Sequence, residues 1–315
     1  MKERVVLGID TSNYTTSVSV MTEEGELLAN IKRPLPVKDG ERGLRQSDAV
    51  FSHIKNLPSA MQEAREVISG REVAAVSVSE RPRNLEGSYM PCFLAGVSAA
   101  QSIASAMDVP LYKFSHQCGH VMAAVYSAKA FYLLEREFAA FHVSGGTTEL
   151  LRVRAGERGF WAEHVGGTRD LNAGQVIDRI GVAMDLKFPC GPALEMLATA
   201  NSVKIPKKKI SRDGLLINLS GLENMALDML SKTEDKSLTA AFVFDYIGNA
   251  ISELTQAYTD IYGKTHFIYA GGVMCNSIIK SKLSGCFECS FAEPSMSADN
   301  AVGIAYLGVK AFTKK

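Results

Sequence analysis

The sequence predicts an α/β protein of two lobes, each built on its own sheet. Three observations carry that expectation. The chain has 315 residues, 46% of them hydrophobic, and single cores stop growing near roughly 250–300 residues, so two cores are expected. Short apolar runs alternate with segments of helical period along the whole length. A strand, polar turn, strand pattern at residues 5–21 recurs at 139–153, as in a duplicated lobe. The expected lobes are 1–138 and 139–315, with a cleft between them and the final helix a candidate to pack back on the first lobe.

Val5 to Asp10 is an apolar run ending in an acid. Thr11-Ser12-Asn13 turns the chain into a second run, Thr16 to Met21, and the two read as a hairpin. Ser47 to Ile68 has apolar residues at helical spacing, Val50, Ile54, Leu57, Met61, Ala64 and Ile68, with Pro58 expected to kink the helix or begin a new one. Val73 to Val78 is a short buried strand and Phe93 to Met107 a helix of small residues. A helix starts near Ser115, a suitable N-cap, and carries His116 and His120.

The second half opens on a strand at Ala139 to Val143, a turn at 144–148 and a strand at Glu149 to Val153. Helices follow at Gly174 to Asp185 and Gly191 to Thr199, then a charged exposed loop at Lys204 to Asp213. Two more helices span 221–231 and 237–262; the second is amphipathic, with Phe242, Tyr246, Ile247, Ala250, Leu254, Ala257 and Ile261 on one face. Thr265 to Ala270 is a strand that opens into Gly271-Gly272 and a helix from about Asn276. The last helix, Ala298 to Phe312, is expected to hold Asp299 in its first turn.

Lys plus Arg and Asp plus Glu both number 34, so no global positive field marks a nucleic-acid binder; RNA would need a local patch or a partner. Lys204, Lys207, Lys208, Lys209 and Arg212 form the one dense basic run, read as a solvated loop or as an RNA phosphate contact. Of six cysteines only Cys286 and Cys289 form a CxxC pair, and a zinc ribbon needs a second. MKERVVLGID has no apolar leader and no stretch is apolar enough to span a membrane, so a cytoplasmic location with reduced thiols is expected.

His116 and His120 stand four apart, on one helical face, where two imidazoles can share a metal ion and leave a third place to a distant carboxylate. The plain alternative is two unrelated surface or core histidines. Asp299 could ligate or simply cap its helix. Four glycine turns, Ser144-Gly145-Gly146, Gly166-Gly167, Cys190-Gly191-Pro192 and Gly271-Gly272, adjoin strands or helix starts, where free N–H groups can cradle phosphate.

Taken in order, these segments resemble the TsaD family of tRNA threonylcarbamoyl-adenosine transferases, as a diverged paralogue. Val6-Leu-Gly-Ile-Asp-Thr-Ser12 resembles its first strand, His116-Gln-Cys-Gly-His120 its HxxGH motif and Val143-Ser-Gly-Gly146 its nucleotide turn. Gly174-Gln-Val-Ile-Asp178-Arg is similar to its GEAFDK, Phe188-Pro-Cys-Gly191-Pro to its YPGGP and Leu219-Ser-Gly-Leu222 to its FSGLK. Ala270-Gly-Gly-Val273 with Asn276, and Asp299-Asn300-Ala301, match the last two signatures.

The resemblance implies two ribonuclease-H-like lobes of the actin-like ATPase superfamily around a central cleft. It implies one divalent metal, iron or zinc, on His116, His120 and Asp299, and ATP or threonylcarbamoyl-AMP held by Ser144, Gly145, Gly146, Asp178, Gly191 and Asn276. The implied reaction moves threonylcarbamoyl from the adenylate to N6 of adenosine 37 in tRNA, with Asp10 orienting the amine or taking its proton, and with TsaB-like and TsaE-like partners.

The sequence departs from the family at Asn13, Tyr14 and Thr15, at Thr147, at Leu171 and Gln175, and at Arg81-Pro-Arg-Asn-Leu85. Two other readings follow: a paralogous carbamoyl or acyl transferase or hydrolase with another acceptor, and a non-catalytic nucleotide-binding scaffold. A protease is excluded because HxxxH lacks the glutamate of HExxH.

Overall fold

A computed structural model describes residues 2–12, 14–36, 44–156, 159–297 and 299–314. Asn13 and Ala298 lie outside the described residues. The chain divides into two compact units, Met1–Arg136 with Arg154–Ala162 and Ala298–Lys315, and Glu137–Val153 with Glu163–Ser297.

In the first unit, β1 (Arg4–Ser12) is buried nearly throughout and pairs antiparallel with β2 (Thr15–Thr22), which pairs antiparallel with β3 (Leu27–Pro34). After α1 (Gln46–Ile68), β4 (Glu72–Arg81) lies parallel to β1; after α2 (Phe93–Met107), β5 (Leu111–Ser115) lies parallel to β4 and runs directly into α3 (His116–Ser127). The sheet order is β3-β2-β1-β4-β5. Two strands, β3 and β5, lie outside the sequence expectations. The inward row of α1 is Ala49, His53, Leu57, Ala60 and Ala64: Leu57 and Ala64 are as expected, while Ala49, His53 and Ala60 stand inward in place of Val50, Ile54 and Met61, and Ile54 is 57% exposed. α1 continues through Pro58 as one helix.

In the second unit, β6 (Phe138–Val143) pairs antiparallel with β7 (Thr148–Gly156), and β8 (Gly159–Thr168) lies beside β7. Then come α4 (Ala173–Ala183), α5 (Gly191–Thr199), the two-residue strands β9 (Arg212–Asp213) and β10 (Leu216–Ile217), α6 (Ser220–Thr233) and α7 (Lys236–Tyr262). β11 (Phe267–Ala270) runs parallel to β6, and a 3-10 turn leads to α8 (Ser277–Ser284). β12 (Cys289–Phe291), parallel to β11, and α9 (Pro294–Ser297) complete it. Read from β8, the order β8-β7-β6-β11-β12 repeats the first sheet, with β10 and β9 added beyond β8.

α7 is the spine of the second core: Phe242, Tyr246, Ile247, Ala250, Leu254 and Ala257 are buried against Phe141, Leu150 and Leu194, while Ile261 in the last turn is exposed, against expectation. The final helix, α10, starts at Val302 and ends at Thr313. Asp299 therefore precedes the helix instead of occupying its first turn. Within the first unit α10 packs at glycines: a Cβ on Gly8 would meet Ala305 Cβ at 2.7 Å, and one on Gly303 would meet the Gly119 carbonyl at 1.9 Å.

Among the described residues no helix is long and apolar enough to cross a membrane.

Candidate functional site

The turn from β5 into α3 sets the first half of the site. The Ser115 hydroxyl caps α3 by accepting from the Cys118 N–H at 3.2 Å, so His116 and His120 sit in the first two turns with ring centroids 4.3 Å apart. The second half arrives through the α3/α10 crossing. Because Gly119 and Gly303 have no side chains, the two backbones approach closely enough to bring residue 299 over the histidines. Asn300, one residue before the N-cap Ala301, accepts with its Oδ1 from the Val302 N–H at 3.0 Å, while the Asp299 carboxylate faces the imidazoles.

Asp299 Oδ1 lies 3.2 Å from His120 Nε2 and 3.6 Å from His116 Nε2. One ligand atom from each of the three residues falls within 4.8 Å of the others. His116 and Asp299 keep 18% and 22% exposure, so the cluster is reachable from solvent. Two imidazoles and a carboxylate converging on one point fit a divalent metal such as iron or zinc.

Asp10 is 0% exposed, and both its oxygens are engaged: Oδ2 is 2.8 Å from His116 Nδ1, and Oδ1 accepts from Ser12 N–H at 2.9 Å. A carboxylate buried behind His116 in this way holds that ring. Carboxylate partners of this kind fix the tautomer of a ligating histidine, leaving Nε2 free to coordinate.

The electrostatics agree with the geometry. Burial would push the Asp10 and Asp299 carboxyls up, but the adjacent imidazoles outweigh it and hold both below the usual range, Asp299 well below. Burial would push His116 down, and the two carboxylates instead raise it to about 10.

A third histidine, His53, was not singled out from the sequence. It is fully buried in the inward row of α1, with Nδ1 2.8 Å from Thr16 Oγ1, and burial lowers its pKa. Its only sequence signal is a histidine at apolar spacing.

The glycine turns of the second unit divide by what surrounds them. Ser144 N–H donates to the Thr147 carbonyl at 2.8 Å, and Gly146 N–H to the Ser144 hydroxyl at 3.3 Å. The turn rests on the start of α4, where Gly174 N–H donates to the Ser144 carbonyl at 3.2 Å and a Cβ would meet Gly145 N at 2.6 Å. Added Cβ atoms on Gly145, Gly146 and Gly191 would meet nothing within 4 Å, so these backbones are open to a ligand.

Asp178 Oδ1 accepts from Cys190 N–H at 2.8 Å and so fixes the turn into α5; burial raises this carboxyl. Gly271, at φ +97°, packs against the Val143 carbonyl, joining the ends of β11 and β6. Asn276 caps α8 with Oδ1, while its buried Nδ2 has no partner among the described residues. Gly166 and Gly167 differ: added Cβ atoms would meet the Leu215 and Thr148 carbonyls at 2.3 and 2.1 Å, so they serve packing within the sheet.

The departures from the family pattern have local work. Thr147 Oγ1 is 2.9 Å from Ser144 Oγ, Gln175 Oε1 accepts from Asn172 N–H at 3.0 Å at the start of α4, and Leu171 packs on the second core. Tyr14 is exposed.

The family model described as TsaD, tRNA N6-adenosine threonylcarbamoyltransferase, matches residues 36–306. Curated proteins of that name from Streptococcus gordonii and Streptococcus sanguinis are 31% and 30% identical over 332 residues, covering 100% of this chain and 94% of each relative. Among solved structures, HypF of T. kodakarensis superposes with a TM-score of 0.63 at 13% identity, over 99% of this chain and 48% of that one. Component A of the Acidaminococcus fermentans (R)-2-hydroxyglutaryl-CoA dehydratase gives 0.56 at 15%, over 98% and 99%. A ROK family glucokinase from Streptomyces griseus gives 0.54 at 12%, over 96% and 99%. These likenesses show the fold, an α/β architecture with the same strand order repeated in two sheets.

Proposed function

The chain belongs to the TsaD family, and from that premise we propose that it is a threonylcarbamoyltransferase acting on N6 of adenosine 37 in tRNA. The observation that carries this reading is a family match along nearly the whole chain. The relatives' names favour it over another acceptor or a non-catalytic scaffold.

In the reaction, N6 attacks the carbamoyl carbon of threonylcarbamoyl-AMP. A C–N bond forms, the C–O bond to the phosphate breaks, AMP leaves and N6 gives up a proton. We assign His116, His120 and Asp299 as ligands of one divalent metal, iron or zinc. When bound, the metal supplies Lewis-acid stabilisation of charge building on the phosphate or carbamoyl oxygens.

The chain's own residues do the rest. Asp10 holds the proton on His116 Nδ1 and orients the ring. The N–H groups at 145 and 191 and the start of α4 bind the phosphate of ATP or the adenylate, with Ser144, which accepts from the Gly146 N–H, shaping that turn and Asp178 fixing the next. Asn276 Nδ2 offers a further donor.

A TsaB-like partner would cover the apolar groove of about 450 Å³ between α1 and α2, where Ile54 and Leu94 are 57% and 52% exposed; a TsaE-like partner and a cytoplasmic site of action belong to the same reading.

The test is complementation of a strain depleted of its own transferase, reading threonylcarbamoyl-adenosine in tRNA by mass spectrometry. Restored modification is expected from the wild type and not from His116→Ala. A folded, metal-loaded wild type that restores none would overturn the reading.

A further inference from the structure

We propose that the lysine loop at 204–212 docks the phosphate backbone of the tRNA substrate, an inference that rests on the transferase reading above. The loop is pinned at two points: Ile210 is buried in the second core, and Ile205 packs half-buried against it. Its cations are therefore held in place, and Lys204, Lys207, Lys208, Lys209 and Arg212 are all exposed.

The neighbouring acids are already engaged. Glu253 faces Arg212 at 3.8 Å, Asp245 pairs with Lys282 at 2.6 Å, and Asp213 pairs with Arg169. None of the four lysines is in an ion pair among the described residues. A chain with no net charge thus carries a fixed local excess of positive charge at this edge. Lys207 and Lys208 line a groove of about 410 Å³ together with Lys282 and with Asn249, Ser252 and the two engaged acids Asp245 and Glu253 of α7.

The chemistry favours a polyanion over a protein. Residues 204–213 contain no aromatic side chain, and protein interfaces concentrate aromatics and exclude lysine from their centres. Ammonium groups on flexible stems are what position a phosphate backbone, without reading sequence.

The experiment uses the full chain, a fluorescent unmodified tRNA transcript carrying adenosine 37, and binding isotherms at several salt concentrations. Lys207→Gln/Lys208→Gln/Lys209→Gln is compared with an equal charge change elsewhere, Lys129→Gln/Lys232→Gln/Lys264→Gln. The loop triple is expected to bind at least about tenfold more weakly near 0.1 M salt, with a log–log salt slope shallower by roughly two to three. The control triple should stay within about twofold of wild type, and ATP should stabilise both variants as it does the wild type.

Equal effects of the two triples, or none from the loop triple, would overturn the proposal, the second outcome leaving the loop to an acidic protein partner. If the wild type restores modification while the loop triple binds tRNA normally, the docking inference fails and the transferase reading stands. A wild type that neither binds nor modifies tRNA sinks both.

Discussion

Asp10 holds the ring of His116, one of the residues proposed to ligate the metal. Asp10→Asn keeps the shape of the pair but removes the charge that fixes the ring, so metal affinity should fall by roughly 10–100-fold, the usual cost of losing such a partner. His116→Ala or Asp299→Ala should lose the metal altogether, with metal content measured on folded protein. The pH dependence follows from the same contacts. In the metal-free protein His116, raised from 6.5 to about 10, contributes stability that is fully present below pH 6.5 and lost as pH rises through about 10. The depressed carboxyls of Asp10 and Asp299 contribute above the ordinary carboxylate range and lose that contribution in acid. Melting temperature against pH should therefore decline on the alkaline side more steeply for metal-free wild type than for Asp10→Asn. The HxxxH spacing made the two histidines legible in sequence. Asp10 was legible as a strand-end acid, but its contact with His116 was not, because nothing in a strand-end acid says which way it faces or that it is sealed from solvent.

At the scale of elements, two contacts are decisive. Gly303→Ala would drive a Cβ into the Gly119 carbonyl; overpacking of this kind costs about 1–3 kcal/mol, and the shift should also lower metal occupancy by moving Asp299. Asp170 ties the end of β8 to α6, accepting from the Leu219 N–H at 2.7 Å and the Ser220 hydroxyl at 2.5 Å. Burial pushes its carboxyl up, but these bonds bring it down to about 2. Asp170→Ala should cost about 1 kcal/mol, as loss of a helix cap does, and in wild type this contribution is present above the ordinary carboxyl pKa and fades as pH falls toward 2. Denaturant midpoints at pH 7 and pH 3 check both statements. The long helices and central strands were legible from their periodicity. The missed strands have physical reasons: β3 has only Ile31 fully buried, β5 is five residues with mixed polarity, and β8 is interrupted by glycines. Asp299 was read into the last helix because an acid just before an apolar helical run looks like a first-turn residue, whereas the helix starts only at Val302.

For the whole molecule, the two candidate ligand groups belong to different units. His116, His120, Asp299 and Asp10 are all in the first, and Ser144, Gly145, Gly146, Asp178, Gly191 and Asn276 in the second. Nucleotide binding should therefore survive loss of the metal residues. ATP at about 100 times its Kd should stabilise wild type and His116→Ala alike by about 2.7 kcal/mol. Gly146→Glu places a carboxylate where nothing lies within 4 Å of the new Cβ; it should fold, keep its metal and lose the ATP shift in melting temperature. The repeat of strand order in the two sheets was anticipated from one pair of similar turns, and 298–315 return to the first unit, where the final helix was a candidate to pack.

That return has a consequence for biosynthesis. The ribosome releases β1 and α3 long before the segment that packs on Gly8 and Gly119, since about 160 residues separate Arg136 from Ala298. At about 5–20 residues per second the nascent first unit waits on the order of ten seconds with that face bare. Asp299 arrives only then, so a ribosome stalled before residue 299 would display two histidines without the carboxylate proposed to complete their metal site.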